Sequence, residues 1–151
     1  MIATDAQAAL AHHPFLAGLD ETSYELLADH ARIVGVPPGQ CLGRAGQAAD
    51  AFYLILSGRV AIEHETPGHE PVPITFVGGD DVVGWSWLAS PYRWGFTARV
   101  LEPVRAVELD APALRRLCEE NHELGFELLK RLVTVLTDRL INTRLQLEQS
   151  D

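Results

Sequence analysis

Residues 50–64 read DAFYLILSGRVAIEH, and this stretch decides the fold. Residues 51–56 form an apolar run, whereas residues 59–64 alternate polar and apolar side chains as a half-buried strand does. Between them, Ser57 and Gly58 are residues typical of a tight turn. The stretch therefore predicts a β-hairpin made of one fully buried and one half-buried strand.

Further short strands separated by turn residues continue on both sides of this hairpin. A strand over residues 32–36 precedes Pro37-Pro38-Gly39, and another over residues 73–77 precedes Gly78-Gly79-Asp80-Asp81. Two last strands, over residues 97–101 and 104–109, are joined by Glu102-Pro103. Many short strands at a spacing of roughly ten residues predict a mainly β protein with a barrel or jelly roll.

Helical patterns flank the strands at both ends of the chain. Thr22-Ser23-Tyr24-Glu25 fits a capping box and predicts a short helix that ends near residue 31. Asp110, with Pro112 in the first turn, predicts a second helix, and Asn121 starts a third that runs to about residue 148. We expect a single domain over residues 1–151, with N-terminal helices (1–31), a β-roll (32–110) and C-terminal helices (111–148).

The last predicted helix, which spans residues 121 to about 148 and is labelled α4 below, carries apolar residues at alternating spacings of four and three, which we call the α4 seam. Its members are Leu129, Val133, Leu136, Leu140, Thr143 and Leu147. Such a heptad pattern is typical of a coiled coil and predicts a parallel homodimer through this helix. Leu132, Val135 and Leu145 form a second stripe that we expect to face the barrel. In the alternative, the seam itself packs against the barrel of its own chain.

Charge and composition exclude several classes of protein. Twelve basic and twenty-one acidic residues give a formal net charge of −9, which disfavours binding to nucleic acid. The two cysteines are far apart and have no metal-site spacing, which predicts free thiols. No signal peptide and no long apolar run is present, so we expect a cytoplasmic protein that does not bind membranes. Basic residues of the last helix alternate with acidic ones, which predicts a solvated, salt-bridged face comprising Lys130, Arg131, Arg139 and Arg144.

An ordered set of turns and apolar residues then indicates a family. Pro38-Gly39, Gly46, residues 50–60, Gly79-Asp80 and Val83-Gly84 resemble the cyclic-nucleotide-binding domain of the catabolite activator protein (Crp/Fnr) family. The resemblance covers residues 14–148. It implies an eight-stranded β jelly roll with N-terminal helices and a long C-terminal helix. Transcription factors of this family carry a DNA-binding domain after that helix, and we expect none here.

The same resemblance locates a candidate ligand pocket. Gly84-Trp85-Ser86-Trp87-Leu88 resembles the segment that holds the cyclic phosphate. Ligand-binding members place a Glu directly after that Gly and an Arg three residues before the Thr that here is Thr97. This chain has Trp85 and Trp94 at the two places, so we expect binding of cyclic AMP or cyclic GMP to be weak or absent. The candidate pocket residues are Gly84, Trp85, Ser86, Trp87, Arg93, Trp94 and Thr97.

Two questions about this pocket stay open at the level of sequence. The tryptophans either fill a pocket that takes no ligand or line a site for a different small molecule. Arg93 is either a surface arginine or an anion ligand displaced by one residue, and a one-residue offset would turn its side chain to the opposite face of a strand.

No catalytic constellation is found. Jelly rolls also carry cupin metal sites, but the histidine expected two positions after His64 is replaced by Thr66, which leaves His64, Glu65, His69 and Glu70 as a weak alternative. Ser86 lacks a Gly-x-Ser-x-Gly elbow, and Gly78-Gly79 does not open a P-loop. We therefore predict a stand-alone, non-enzymatic sensor domain without a cofactor or metal. The alternatives are a degenerate module that binds a partner enzyme and a cupin-like metal enzyme.

Overall fold

A computed structural model describes residues 5–149 of the chain, with side chains as far as residue 145. The helices are α1 (Asp5–His12), α2 (Glu21–Ala28), α3 (Ala111–Glu120) and α4 (His122–Gln149), with short 3₁₀ helices at Pro14–Leu16 and Trp85–Leu88. The strands are β1 (Ala31–Val36), β2 (Cys41–Gly43), β3 (Ala51–His64), β4 (Val72–Gly78), β5 (Val82–Val83) and β6 (Thr97–Asp110). The fold is the predicted β jelly roll with flanking N-terminal helices and a long C-terminal helix.

Two long strands form the centre of one antiparallel sheet. The order is β1-β6-β3-β4, with β2 added to β6 and β5 added to β3. The first half of β6 pairs with β2 and its second half with β1. Likewise, the first half of β3 pairs with β5 and its second half with β4. Each long strand thus changes its outer partner midway, which closes the sheet into a roll around the core.

The predicted hairpin turn at Ser57-Gly58 was wrong, because β3 runs without interruption through both residues. The register between β3 and β6 instead shifts three times between Ile55 and Val60. Gly58 has φ +106°, and a Cβ there would lie 2.4 Å from the Pro103 carbonyl oxygen. A bulge that needs glycine therefore bends the strand where a turn was expected.

The break predicted at Glu102-Pro103 was wrong for the same reason, since β6 is also continuous. Residues 5–149 accordingly contain six strands in place of the eight that the resemblance implied.

Helix ends follow from local capping. Asp20, and not Thr22, caps α2, because its carboxylate accepts a hydrogen bond from the Ser23 amide at 2.8 Å, and the helix ends at Ala28. The predicted capping box was therefore misplaced by two residues. The later predictions are confirmed: the side chains of Asp110 and Asn121 accept hydrogen bonds from the amides of Ala113 and Leu124.

Helix α4 buries one face and exposes another. Leu124, Leu128 and Leu132 are buried against the rest of the chain. The α4 seam is different: Leu129, Val133 and Leu140 are 48%, 52% and 71% exposed. Leu136 and Thr143 are partly buried, and the side chain of Leu147 lies outside the described residues. Leu129, Val133 and Leu140 therefore do not pack against the barrel of their own chain.

The second stripe of α4 was only partly predicted. Leu132 is buried and Val135 packs against the core, but Leu145 is exposed. No helix in the described part of the chain is both long and apolar enough to span a membrane. Both cysteines, Cys41 and Cys118, are free.

Candidate ligand pocket

A small cavity lies where the 3₁₀ helix Trp85–Leu88 meets the barrel and α4. Its volume is about 30 Å³, which is room for about two water molecules. It contains four of the predicted pocket residues, Gly84, Trp85, Ser86 and Trp94. The lining consists of Ile62, Val83, Gly84, Trp85, Ser86, Trp94, Gly95, Phe96, Ala98 and Arg139.

The indole of Trp94 forms part of the lining of this cavity. It is 8% exposed and packs directly on the backbone of two glycines. A Cβ on Gly43 would lie 2.1 Å from Trp94 Cε2, and one on Gly84 would lie 2.9 Å from Cη2. Side chains at either glycine would therefore displace the ring. The three residues form what we call the indole slot.

Backbone hydrogen bonds hold the loop that carries Trp94. The Trp94 amide donates to the Gln47 carbonyl at 2.8 Å, and its own carbonyl accepts from the Gly46 amide at 2.8 Å. The Arg115 guanidinium on α3 donates to the Trp87 carbonyl at 2.9 Å and lies 4.6 Å from the centre of the Tyr92 ring. Arg115 thus links the loop to the 3₁₀ helix, a role that nothing in the sequence indicates.

Three of the predicted pocket residues are not brought to the cavity. Trp87 is fully buried in the core beside Phe52, and its indole Nε1 has no hydrogen-bond partner among the residues that the structure describes. Thr97 is buried, and its hydroxyl accepts from the Ala45 amide at 3.0 Å. Arg93 is exposed, and its guanidinium donates to the Gly46 carbonyl at 2.9 Å. Its position is that of a surface arginine with a backbone partner.

Arg139 of α4 lines the cavity and was not among the predicted pocket residues. The sequence predicts a solvated, salt-bridged face for it, which holds for Lys130, paired with Glu127. Arg131 also pairs with Glu127, but it is partly buried and donates a hydrogen bond to the Phe15 carbonyl. Arg139 is instead partly buried and donates a hydrogen bond to the Val82 carbonyl. Burial lowers the pKa of its guanidinium, and the nearby Asp81 partly opposes this.

A signal for Arg139 exists in the sequence. It continues the buried stripe Leu128, Leu132 and Val135 at spacings of four, three and four residues, so helical phase places it on the barrel side. A basic residue within an apolar stripe calls for a partner, because charged groups are rarely buried alone.

The residues of the cupin alternative do not converge. The His64 ring packs edge-on against Phe96 at 6.4 Å between ring centres. Among the described residues, no group of three or more His, Cys, Asp or Glu side chains is close enough to hold a metal ion.

Sequence comparisons agree on a family. The family model described as the cyclic nucleotide-binding domain matches residues 33–121. The CRP-like cAMP-activated global transcriptional regulator of Mycobacterium tuberculosis is 28% identical over 134 residues, 89% of this chain and 58% of the regulator. The chain thus spans less than three fifths of that relative. An uncharacterized NTE family protein of the same species is 43% identical over 91 residues, which are 60% of this chain but only 15% of that protein.

Solved structures share the fold. A putative cyclic nucleotide-binding protein of Geobacter metallireducens has a TM-score of 0.80 and 26% identity, and the match covers 93% of this chain and 99% of that one. A cAMP-binding acyltransferase of Mycobacterium smegmatis has a TM-score of 0.65 and 27% identity, covering 83% of this chain and 39% of the acyltransferase. The same fold therefore occurs both as a separate unit and as part of a larger enzyme.

Proposed function

We propose that this chain, which belongs to the cyclic nucleotide-binding domain family, is a regulatory module whose pocket no longer accepts cyclic AMP or cyclic GMP. The observation that carries the proposal is the indole slot, in which Trp94 fills the space between Gly43 and Gly84. The remaining cavity of about 30 Å³ compares with roughly 300–1,000 Å³ for pockets that enclose ligands of nucleotide size.

Charge supports the same conclusion. A cyclic phosphate is an anion, and the resemblance puts its arginine partner at the position of Trp94. Arg93, the neighbouring candidate, is exposed and donates to the Gly46 carbonyl. Removing one partner of a buried charge pair costs about 2–5 kcal/mol, or roughly 30- to 4,000-fold in affinity. Cyclic nucleotide binding is therefore weak or absent on electrostatic as well as steric grounds.

The test is to put the two family residues back. We expect calorimetric titration of the unmodified chain with cyclic AMP to give no saturable heat at micromolar ligand. The double variant Trp85→Glu, Trp94→Arg gains saturable binding, because it opens the slot and supplies both ligand contacts. The matched control Trp85→Gln, Trp94→Met opens similar space without the charges and stays weak. Saturable micromolar binding by the unmodified chain would overturn the proposal.

The module acts as a homodimer through α4. The α4 seam presents exposed Leu129, Val133 and Leu140 in one row, and Phe126, 60% exposed, extends it toward the N-terminal end of the helix. Burial of these exposed apolar side chains against a second copy of the chain stabilises a dimer. The seam starts on the same helix that carries Arg139, so the cavity and the dimer contact are parts of one element.

A second candidate function is a module that serves a partner enzyme without binding a small molecule. The observation that favours it is that two relatives, the NTE family protein and the acyltransferase, match over only a small part of their own length. In this reading the chain has no catalytic activity of its own. A thermal-shift screen of cyclic mono- and dinucleotides, nucleotides and small anions separates the candidates, because a ligand of the native state must raise the melting temperature.

A further inference from the structure

We propose that the cavity beside Arg139 binds a small oxyanion, a carboxylate or a phosphate group, through the Arg139 guanidinium. The inference rests on the proposed function, since it names the ligand class of the same altered pocket. The arginine that binds the anion then lies on helix α4, and not on the loop where the family places it.

The first support is the bonding of Arg139. A guanidinium has five N–H donors, and Arg139 uses one of its nitrogens, Nη2, on the Val82 carbonyl. Among residues 5–145, no carboxylate forms an ion pair with it within 4.0 Å. By contrast, Arg99 makes a two-pronged contact with Glu63 at 2.8 and 3.1 Å. Arg139, which lines the cavity, therefore has donors left over.

The second support is the electrostatic setting. Asp81 is the acidic group whose charge acts on Arg139, but its carboxylate is already an acceptor for the Gly78 amide at 2.9 Å. Burial lowers the pKa of Arg139, as expected for a cation whose lost hydration is not fully replaced. An oxyanion in the cavity would supply that replacement.

The third support is the shape and lining of the cavity. Trp85, Trp94 and Phe96 form aromatic walls, and Ser86 adds a polar position. Such walls exclude water and strengthen a guanidinium–oxyanion pair, which is itself among the stronger hydrogen-bonded contacts. About 30 Å³ has room only for the oxygens of an oxyanion that face Arg139, and it leaves no room for a base and a sugar. The site therefore selects by size as well as by charge.

The experiment uses the intact chain and its own tryptophans as reporters, since Trp85 and Trp94 line the cavity. Sodium phosphate and sodium acetate are titrated separately, with sodium chloride keeping the ionic strength constant. A saturable change in fluorescence is expected with at least one of them. Arg139→Gln weakens it about tenfold or more. Arg116→Gln, which removes an equal charge from the exposed side of α3, leaves it unchanged.

The outcomes distinguish a phosphoryl ligand from a carboxylate, and they distinguish failure of this inference from failure of the proposed function. Saturation by phosphate alone assigns a phosphoryl ligand, and saturation by acetate alone assigns a carboxylate. If neither ion saturates, or if Arg139→Gln and Arg116→Gln behave alike, the inference is wrong. Should Arg139→Gln fail to fold, Arg139→Lys, with three donors in place of five, must still weaken binding. Micromolar binding of cyclic AMP in a parallel titration would instead overturn the proposed function.

Discussion

Trp94 and the glycines that face it set the space available in the pocket. The indole replaces a charged side chain of the family pattern. It packs on Gly43 and Gly84, which leave room for it because they have no Cβ. Gly84 has φ +92°, a backbone conformation that favours glycine whether or not the ring is present. At Gly43, by contrast, glycine is required because the Trp94 ring lies against it. This difference makes Gly43 the better position for testing the packing of the slot.

Gly43→Ala should destabilise the chain by about 1–3 kcal/mol, because the new Cβ would overlap Trp94 and force the ring to move. Gly95→Ala is the matched control, since a Cβ there meets nothing within 4 Å. Urea denaturation followed by tryptophan fluorescence measures both. Equal midpoints for the two variants would show that the indole does not occupy the slot.

His13 predicts a pH dependence of stability. It is buried, its Nδ1 accepts from the Phe15 amide at 3.1 Å, and its Nε2 donates to the Ile55 carbonyl at 3.1 Å, so the native ring is neutral. Burial lowers its pKa below the usual 6.5, although Asp80 and Asp81 partly oppose this. The unfolded chain therefore binds more protons, and the free energy of unfolding should fall as the pH drops below about 6.5.

The measurement for His13 is urea unfolding at pH 7.5 and pH 5.5. His13→Asn keeps an acceptor for the Phe15 amide but does not titrate, so the decrease in stability should become smaller. His69→Asn, at an exposed position, should keep the full decrease. A decrease of the same size in all three proteins would assign the effect to other groups.

Trp85 and Trp94 could be recognised from the sequence as replacements of family residues, because a motif marks their positions. The role of Arg139 could not, because the charges around it on α4 alternate as they do on a solvated face. Only helical phase, which puts Arg139 in line with Leu128 and Leu132, distinguishes it from its neighbours. Arg115 gave no signal, since its partners are backbone carbonyls brought close by the fold.

At the element scale, turns and bulges use the same residues. Ser57-Gly58 is compatible with a hairpin turn and with a bulge, and local sequence does not decide between them. The pairing of β3 with β6 decides between them. The two strands are paired from Ala51 opposite Asp110 to Glu63 opposite Thr97, so the chain gains hydrogen bonds between the strands by continuing through the bend. The fold class was therefore predictable, whereas the number of strands was not.

The α4 seam carries the prediction for assembly. Val133→Asp combined with Leu140→Asp should give a folded monomer in light scattering, because a dimer would bury two unpaired carboxylates. Both side chains are more than half exposed in one chain, so folding should not suffer. Thr134→Asp with Ile141→Asp is the matched control, with the same spacing on an exposed face of α4 about 100° away.

The control pair should run at the mass of the unmodified dimer. If the unmodified chain is already a monomer at about 50 µM, or if both double variants dissociate it equally, the seam is not the dimer contact.

At the scale of the whole molecule, several basic side chains in the described part of the chain form ion pairs with carboxylates. Arg32 pairs with Glu108, Arg99 with Glu63, and Lys130 and Arg131 with Glu127. The remaining field is dominated by the excess of acidic residues, which gives −9 overall. A small oxyanion at Arg139 would be recognised inside the aromatic cavity, where short-range contacts outweigh this field.

The same balance predicts that residues 1–151 do not bind DNA, although a 28%-identical relative is a transcriptional regulator. Affinity for duplex DNA comes largely from Lys and Arg side chains that replace counterions on the phosphates. Within the part of the chain that the structure describes, Arg32, Arg99, Lys130 and Arg131 are already engaged by carboxylates. The net charge of the whole sequence also repels the polymer. In a gel-shift assay at about 50 mM salt, micromolar protein should leave a 30-base-pair duplex unretarded. A retarded complex that weakens steeply with added salt would instead reveal a basic surface strong enough to overcome the net charge.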